Sequence, residues 1–135
     1  MDESFAVVAL YAGLNAILLV VLAINTGIRR APQNAIEPGA MGEGALTRAI
    51  RAHANFAENA PMLLLLLGAL AFTNTAPLPI HILGATFTFG RVLHAIGMMQ
   101  AKHPNALRFA GNILTWLTLL GGAGLCILRF LEALA

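Results

Sequence analysis

The chain has 135 residues, 59% of them hydrophobic and only 10% charged. Soluble domains are near half apolar and about a quarter charged, and one this small cannot hide so much apolar surface, so the composition excludes an ordinary soluble globule and points to an integral membrane protein. Eight Lys and Arg against six Asp and Glu give a formal net charge of +2; the basic residues are spread without a run, which excludes a nucleic-acid footprint, and no nucleic-acid partner is expected.

A transmembrane helix needs about 20 mostly apolar residues. Four spans are predicted on that measure, at about 5–27, 49–72, 79–101 and 107–130, in one membrane domain over 1–135: an all-α, four-helix transmembrane bundle. The first span follows Asp2 and Glu3 rather than a basic segment. With no small-residue cleavage site at the right distance, it reads as a retained span and not a signal peptide. The stretch "APQNAIEPGAMGEGA", residues 31–45, is the extended polar connector.

The second span is the informative one. Residues 60–72 alone would make roughly 20 Å of helix at about 1.5 Å per residue, too little for a hydrocarbon core about 30 Å thick. The helix must therefore take in "RAHANFAENAP", residues 51–61, which puts Asn55 and Glu58 at membrane depth and Arg51 near the boundary. At about 100° per residue, Arg48, Arg51, Asn55 and Glu58 share a sector of roughly 80°, while His53 points nearly the opposite way. The third span carries Arg91, His94 and Met98, spaced three and four apart, again on one face. Ionisable groups inside spans are costly, so they face a bundle interior and pair. A buried pair of Glu58 with Arg51 or Arg91 would serve as helix glue. Two stripes with two or three Arg, one Glu, one Asn and one His exceed that need, and their surplus positive charge suits an anionic ligand.

In the fourth span, "GGAG" at 121–124 is predicted to be a close helix-packing surface. Trp116 reads as a core or subunit contact, and Cys126 as a small apolar filler that forms no intrachain disulfide. His81 and His103 lie near span ends and read as interfacial. The histidines and acids have no metal-ligand spacing, so no metal is expected. The connectors with Arg29, Arg30 and Arg48, and with Lys102 and Arg108, are predicted to face the cytoplasm; "TNTAPLP" has no Lys or Arg. Both termini then face away from the cytoplasm.

Two stretches resemble one known family. "RAHANFAENAP" is similar to the second-helix signature of the MAPEG family, the membrane-associated proteins of eicosanoid and glutathione metabolism, with Arg51, Ala52, Asn55, Glu58 and Pro61 on its pattern. "FGRVLHAIGM", residues 89–98, resembles the third-helix segment of the family's microsomal glutathione transferases. The likeness covers nearly the whole chain and is closest to small bacterial members. It implies a homotrimer in the bacterial inner membrane, with glutathione as co-substrate bound between subunits near the cytoplasmic side. Arg51 would bind a glutathione carboxylate, Asn55 the peptide, and Glu58 the ammonium. His53 would contact the ligand from the adjacent chain, Arg29 or Arg30 would meet the tripeptide, and Arg91 and His94 would complete the pocket. Arg108 would stabilise the thiolate, aided by the unpaired N–H groups and dipole of a helix start. A lipophilic substrate would enter from the bilayer lipid. The chemistry agrees: Arg binds carboxylates with a planar fork, and a nearby cation lowers a thiol's pKa. The chain departs from the family pattern at Asn59 and Met98, where members carry tyrosines.

The expected function is thus a glutathione-dependent transferase or peroxidase acting on hydrophobic electrophiles. The alternative is a non-catalytic, lipid-binding or structural membrane protein of the same build. A weaker one is a four-span transporter, which would be expected to centre an acid in its first span, where this chain has none.

Overall fold

A computed structural model describes residues 2–30, 44–100 and 104–135. The expectations resting on the stretch 31–43, on Lys102 and on His103 lie outside the described residues.

Four helices account for nearly all of it: α1 Glu3–Arg30, α2 Ala45–Phe72, α3 Pro77–Met99 and α4 Ala106–Leu134. Each is long and apolar enough to cross a membrane. At 28 residues, α2 is about 42 Å long at 1.5 Å per residue. It begins six residues before Arg51, so the polar signature is helical throughout. The chain is an all-helical, multi-pass membrane protein.

Local chemistry sets the helix ends. Thr73 closes α2, with its N–H on the Ala69 carbonyl at 3.0 Å and its hydroxyl on the Leu70 carbonyl at 3.0 Å. Asn74 then takes a positive φ of 54°, a left-handed conformation that Asn tolerates through its short polar side chain. Pro77 opens α3 at the first turn, where a missing N–H costs nothing. Asn105 caps α4, its Oδ1 accepting from the N–H groups of Leu107 at 3.0 Å and Arg108 at 3.2 Å.

Among the described residues α2 and α3 pack on each other and on both outer helices, while α1 and α4 do not meet. Polar contacts mark the two ends of the bundle. At one end Ser4 Oγ donates to the Thr75 carbonyl at 2.7 Å, and Arg129 Nε to Thr75 Oγ1 at 3.1 Å. At the other, Arg48 Nε donates to the Met99 carbonyl at 3.3 Å, and Asn25 Nδ2 lies 3.9 Å from Met99 Sδ. This second end gathers the C-termini of α1 and α3 with the N-termini of α2 and α4, and so the polar signature.

Glycine lets α3 and α4 approach closely at that end. A Cβ on Gly97 would collide with the backbone of Arg108, and one on Gly111 would stand 2.5 Å from the Gly90 carbonyl and 2.6 Å from His94 N. The "GGAG" stretch does less than its composition suggests. A Cβ on Gly122 would meet Leu66 at 3.2 Å, but Gly124 faces open space. At the far end the ring of Tyr11 fills the space that a Cβ on Gly84 would need, and its hydroxyl meets His81 Nδ1 at 2.8 Å.

Candidate functional site

A cavity of about 250 Å³ opens between α2, α3 and α4, lined by Arg51, Ala54, Asn55, Glu58, His94, Met98, Arg108 and Asn112. Its α2 wall is the stripe read from sequence. Arg51 and Glu58 are exposed in the single chain, although both sit inside a helix that spans the membrane. Neither makes a hydrogen bond or ion pair with any described residue, and the one ion pair among the described residues is Arg129–Glu132 at the far end. Charged groups cannot remain so in hydrocarbon. The Arg51–Glu58 and Arg91–Glu58 pairs that would have made the stripe mere helix glue are not formed.

The α3 wall is organised from behind. Arg91 is fully buried and does not line the cavity. Its Nη2 donates to Asn55 Oδ1 at 2.7 Å and meets His94 Nδ1 at 3.2 Å, and its Nη1 donates to Thr115 Oγ1 at 3.3 Å. A guanidinium has donors only. It therefore fixes His94 Nδ1 as an acceptor and leaves the ring proton on Nε2. The same contact turns the Asn55 oxygen toward Arg91. Thr115 passes the chain on, donating to the Gly111 carbonyl at 2.8 Å. One guanidinium thus ties the three helices together beneath the cavity. Its Nε is buried without a partner among the described residues.

The α4 wall holds Arg108 and Asn112. The sequence predicts free N–H groups at this helix start. The structure differs, because the Asn105 carboxamide already occupies the N–H groups of Leu107 and Arg108. What this wall offers an anion is the guanidinium of Arg108 and the helix dipole. Met98, buried on α3, contributes a thioether. The amide of Asn59 is spent within α2, donating to the Asn55 carbonyl at 2.8 Å.

Of the candidates, the structure brings Arg51, Asn55, Glu58, His94 and Arg108 around one space, with Arg91 directly behind. His53, Arg29 and Arg30 do not line it within one chain. Arg29 Nε donates to Asn25 Oδ1 at 3.1 Å, and His53 is half-buried on another side of α2. Sequence reasoning passed over Asn112. Its signal was available: Asn112 lies four residues after Arg108 and so on the same helical face.

Fold and cavity together define a four-helix, multi-pass membrane protein with a polar, cation-rich site set between helices. The chain belongs to the MAPEG family, whose model matches residues 8–128. It is also similar to the uncharacterized protein sll1147 of Synechocystis sp. (strain ATCC 27184 / PCC 6803 / Kazusa), at 34% identity over 127 residues, 94% of this chain and 92% of that relative.

Proposed function

We propose that this protein binds glutathione as co-substrate and acts as a membrane glutathione transferase or peroxidase on hydrophobic electrophiles. The observation that carries this reading is a set of charges around one cavity with no hydrogen bond or ion pair among the described residues: Arg51 and Glu58 on one wall and Arg108 on another. Two guanidinium groups line the cavity (Arg51, Arg108) and a third lies directly behind it (Arg91), against one carboxylate (Glu58), which leaves two positive charges over. Glutathione as thiolate carries two carboxylates, one thiolate and one ammonium, and so two negative charges net. Arg51 takes a carboxylate, Asn55 the peptide and Glu58 the ammonium. Arg108 faces the sulfur, with His94 Nε2–H beside it. In a transferase step the thiolate attacks the electrophilic carbon, a C–S bond forms, and the leaving group departs with its electron pair.

The site is a shared one in a homotrimer. The cavity of about 250 Å³ has walls on α2, α3 and α4, and its α2 wall carries Arg51 and Glu58 exposed in the single chain; a further wall would enclose the ligand. A neighbouring copy would supply it, with Arg29 or Arg30 and His53 as its contributions. A closed ring would also cover the exposed charges of α2. The lipophilic substrate comes from the bilayer, and the charged end of the bundle faces the cytoplasm of a bacterial inner membrane.

A specific observation favours the non-catalytic alternative: Met98 donates no hydrogen bond to a sulfur, and Asn59 is occupied within its own helix. Ligand stabilisation separates binding from its absence. Glutathione at about 100 times its dissociation constant adds roughly 2.7 kcal/mol of stability and should raise the melting temperature of the detergent-solubilised protein. No shift at millimolar glutathione would leave the structural or lipid-binding reading in its place. If binding is found, turnover of a generic aromatic electrophile decides whether the protein is an enzyme.

A further inference from the structure

We propose that Asn112 is a hydrogen-bond donor to the ligand's sulfur, acting beside Arg108 where position 98 offers only a thioether. The inference rests on the glutathione reading above. Opposite Arg51, Asn55 and Glu58 the cavity wall has few free donors. The N–H groups of Leu107 and Arg108 are held by Asn105. The Thr115 hydroxyl donates to the Gly111 carbonyl. Met98 has no donor. The Asn112 carboxamide lines the cavity, is half-buried, and makes no hydrogen bond with any described residue. An amide at membrane depth without a partner is costly. One that faces a cavity is best explained by what the cavity holds.

The position of Asn112 is also fixed. Its neighbour Gly111 is buried against the Gly90 carbonyl and His94, at distances no Cβ would permit. The backbone of Arg108 lies against Gly97 one turn earlier. Arg108 and Asn112 are therefore presented from a rigid seam, one helical turn apart on the same face. On deprotonation the S–H bond breaks, the proton leaves to water at the cavity mouth, and the electron pair stays on sulfur. Asn112 Nδ2–H then donates to that sulfur. The amide does not ionise, so it stays a donor whatever the state of the thiol. A hydrogen bond to a charged group is among the stronger ones, so its effect should fall on the thiolate and not on the thiol.

The test uses the full-length protein in detergent. Glutathione and S-methylglutathione binding are measured by calorimetry, and the bound thiol is titrated by its ultraviolet thiolate absorbance. Asn112→Leu keeps the shape and removes the donor. It should leave S-methylglutathione affinity within about threefold and move the titration of bound glutathione up by about one pH unit, a tenfold loss of thiolate. Asn112→Asp should move it further. Adding Met98→Tyr to Asn112→Leu should restore much of the shift by adding a second donor to the α3 wall beside His94. An unmoved titration in Asn112→Leu, with glutathione still bound, overturns the proposal and leaves the glutathione reading intact. An equal loss of affinity for both ligands overturns it too, because Asn112 would then contact the peptide. Wild-type protein that binds neither ligand overturns the glutathione reading itself.

Discussion

Arg91 on α3 donates from Nη2 to the Oδ1 of Asn55 on α2 across 2.7 Å, joining a buried guanidinium to a half-buried amide. Neither residue forms an ion pair with any described carboxylate. The contact sets the rotamer of a cavity residue by means of a residue that does not itself line the cavity.

Both ends of this bond should therefore matter to stability. Asn55→Ala leaves a buried guanidinium short of an acceptor, and the bundle should lose about 1–3 kcal/mol, the cost of an unsatisfied buried group. Arg91→Met removes the charge along with the bond. The buried Nδ1 of His94 and the Oδ1 of Asn55 then lack their donor, so the bundle should again lose about 1–3 kcal/mol. Glutathione affinity should fall as well, because Asn55 and His94 lose the group that orients them. Denaturation in detergent with calorimetric titration checks both. An Arg91→Met protein with unchanged affinity would reduce Arg91 to a helix tie.

The seam between α3 and α4 gives a second contrast. A Cβ at Gly97 meets the Arg108 backbone, whereas one at Gly13 meets nothing within 4 Å. Gly97→Ala must push the start of α4 away, an overpacking cost of about 1–3 kcal/mol. Gly13→Ala should be neutral or gain about 0.5–1 kcal/mol from helix propensity. Because Gly97 supports Arg108 and not the α2 wall, Gly97→Ala should lower turnover more than it weakens glutathione binding. Equal stability of the two variants would show the seam to be loose.

The α2 and α3 stripes were legible in the sequence because polar residues at spacings of three and four stand out in an apolar run. That four helices would cross a membrane was legible for the same reason. Which member of a stripe lines the cavity and which supports it was not. Arg91 and His94 lie on one face of α3, yet burial separates the supporting guanidinium from the lining imidazole. The α4 stripe of Arg108, Asn112 and Thr115 has the same four-and-three spacing as Arg51, Asn55 and Glu58. It is harder to see because Asn and Thr are common packing residues in membrane helices. The loss of the free N–H groups at Arg108 depended on a cap by Asn105, which only the geometry at the helix start reveals.

Orientation can be checked without any ligand. After replacement of Cys126 by Ala, a single cysteine at Asn105 should label from the cytoplasmic side, and one at Asn74 only from the opposite side. Asn105 caps α4 at the charged end of the bundle, and Asn74 sits in the turn between α2 and α3. Labelling of Asn74 from the cytoplasm would invert the proposed topology and move the cavity to the other face of the membrane.

Glu58→Gln keeps the size of the side chain and removes its charge. If Glu58 holds the ligand's ammonium, binding of glutathione should weaken by about 1.5–3 kcal/mol, the range for a hydrogen bond to a charged group. Native mass measurement should still find a trimer. Loss of the trimer with unaltered affinity would instead make Glu58 an inter-subunit tie. A wild-type monomer that binds glutathione would rule out a shared site.

Arg108 is the cation on the α4 wall, facing the proposed position of the sulfur, and its own N–H is already taken by Asn105. Its influence on an anion must therefore come from the guanidinium and from the dipole of α4. Arg108→Ala removes the first and leaves the second. Glutathione affinity should stay near wild type, since Arg51 and Glu58 hold the two ends of the tripeptide. The bound thiol should titrate at higher pH, because the thiolate has lost a full positive charge in a region of reduced dielectric. Turnover of an aromatic electrophile should fall at least tenfold, or about 1.4 kcal/mol in barrier. Following thiolate absorbance and turnover in the same preparation checks both effects. If both stay at wild-type values, Arg108 is a topology anchor, and the thiolate depends on the remaining donors at the cavity, Asn112 and His94.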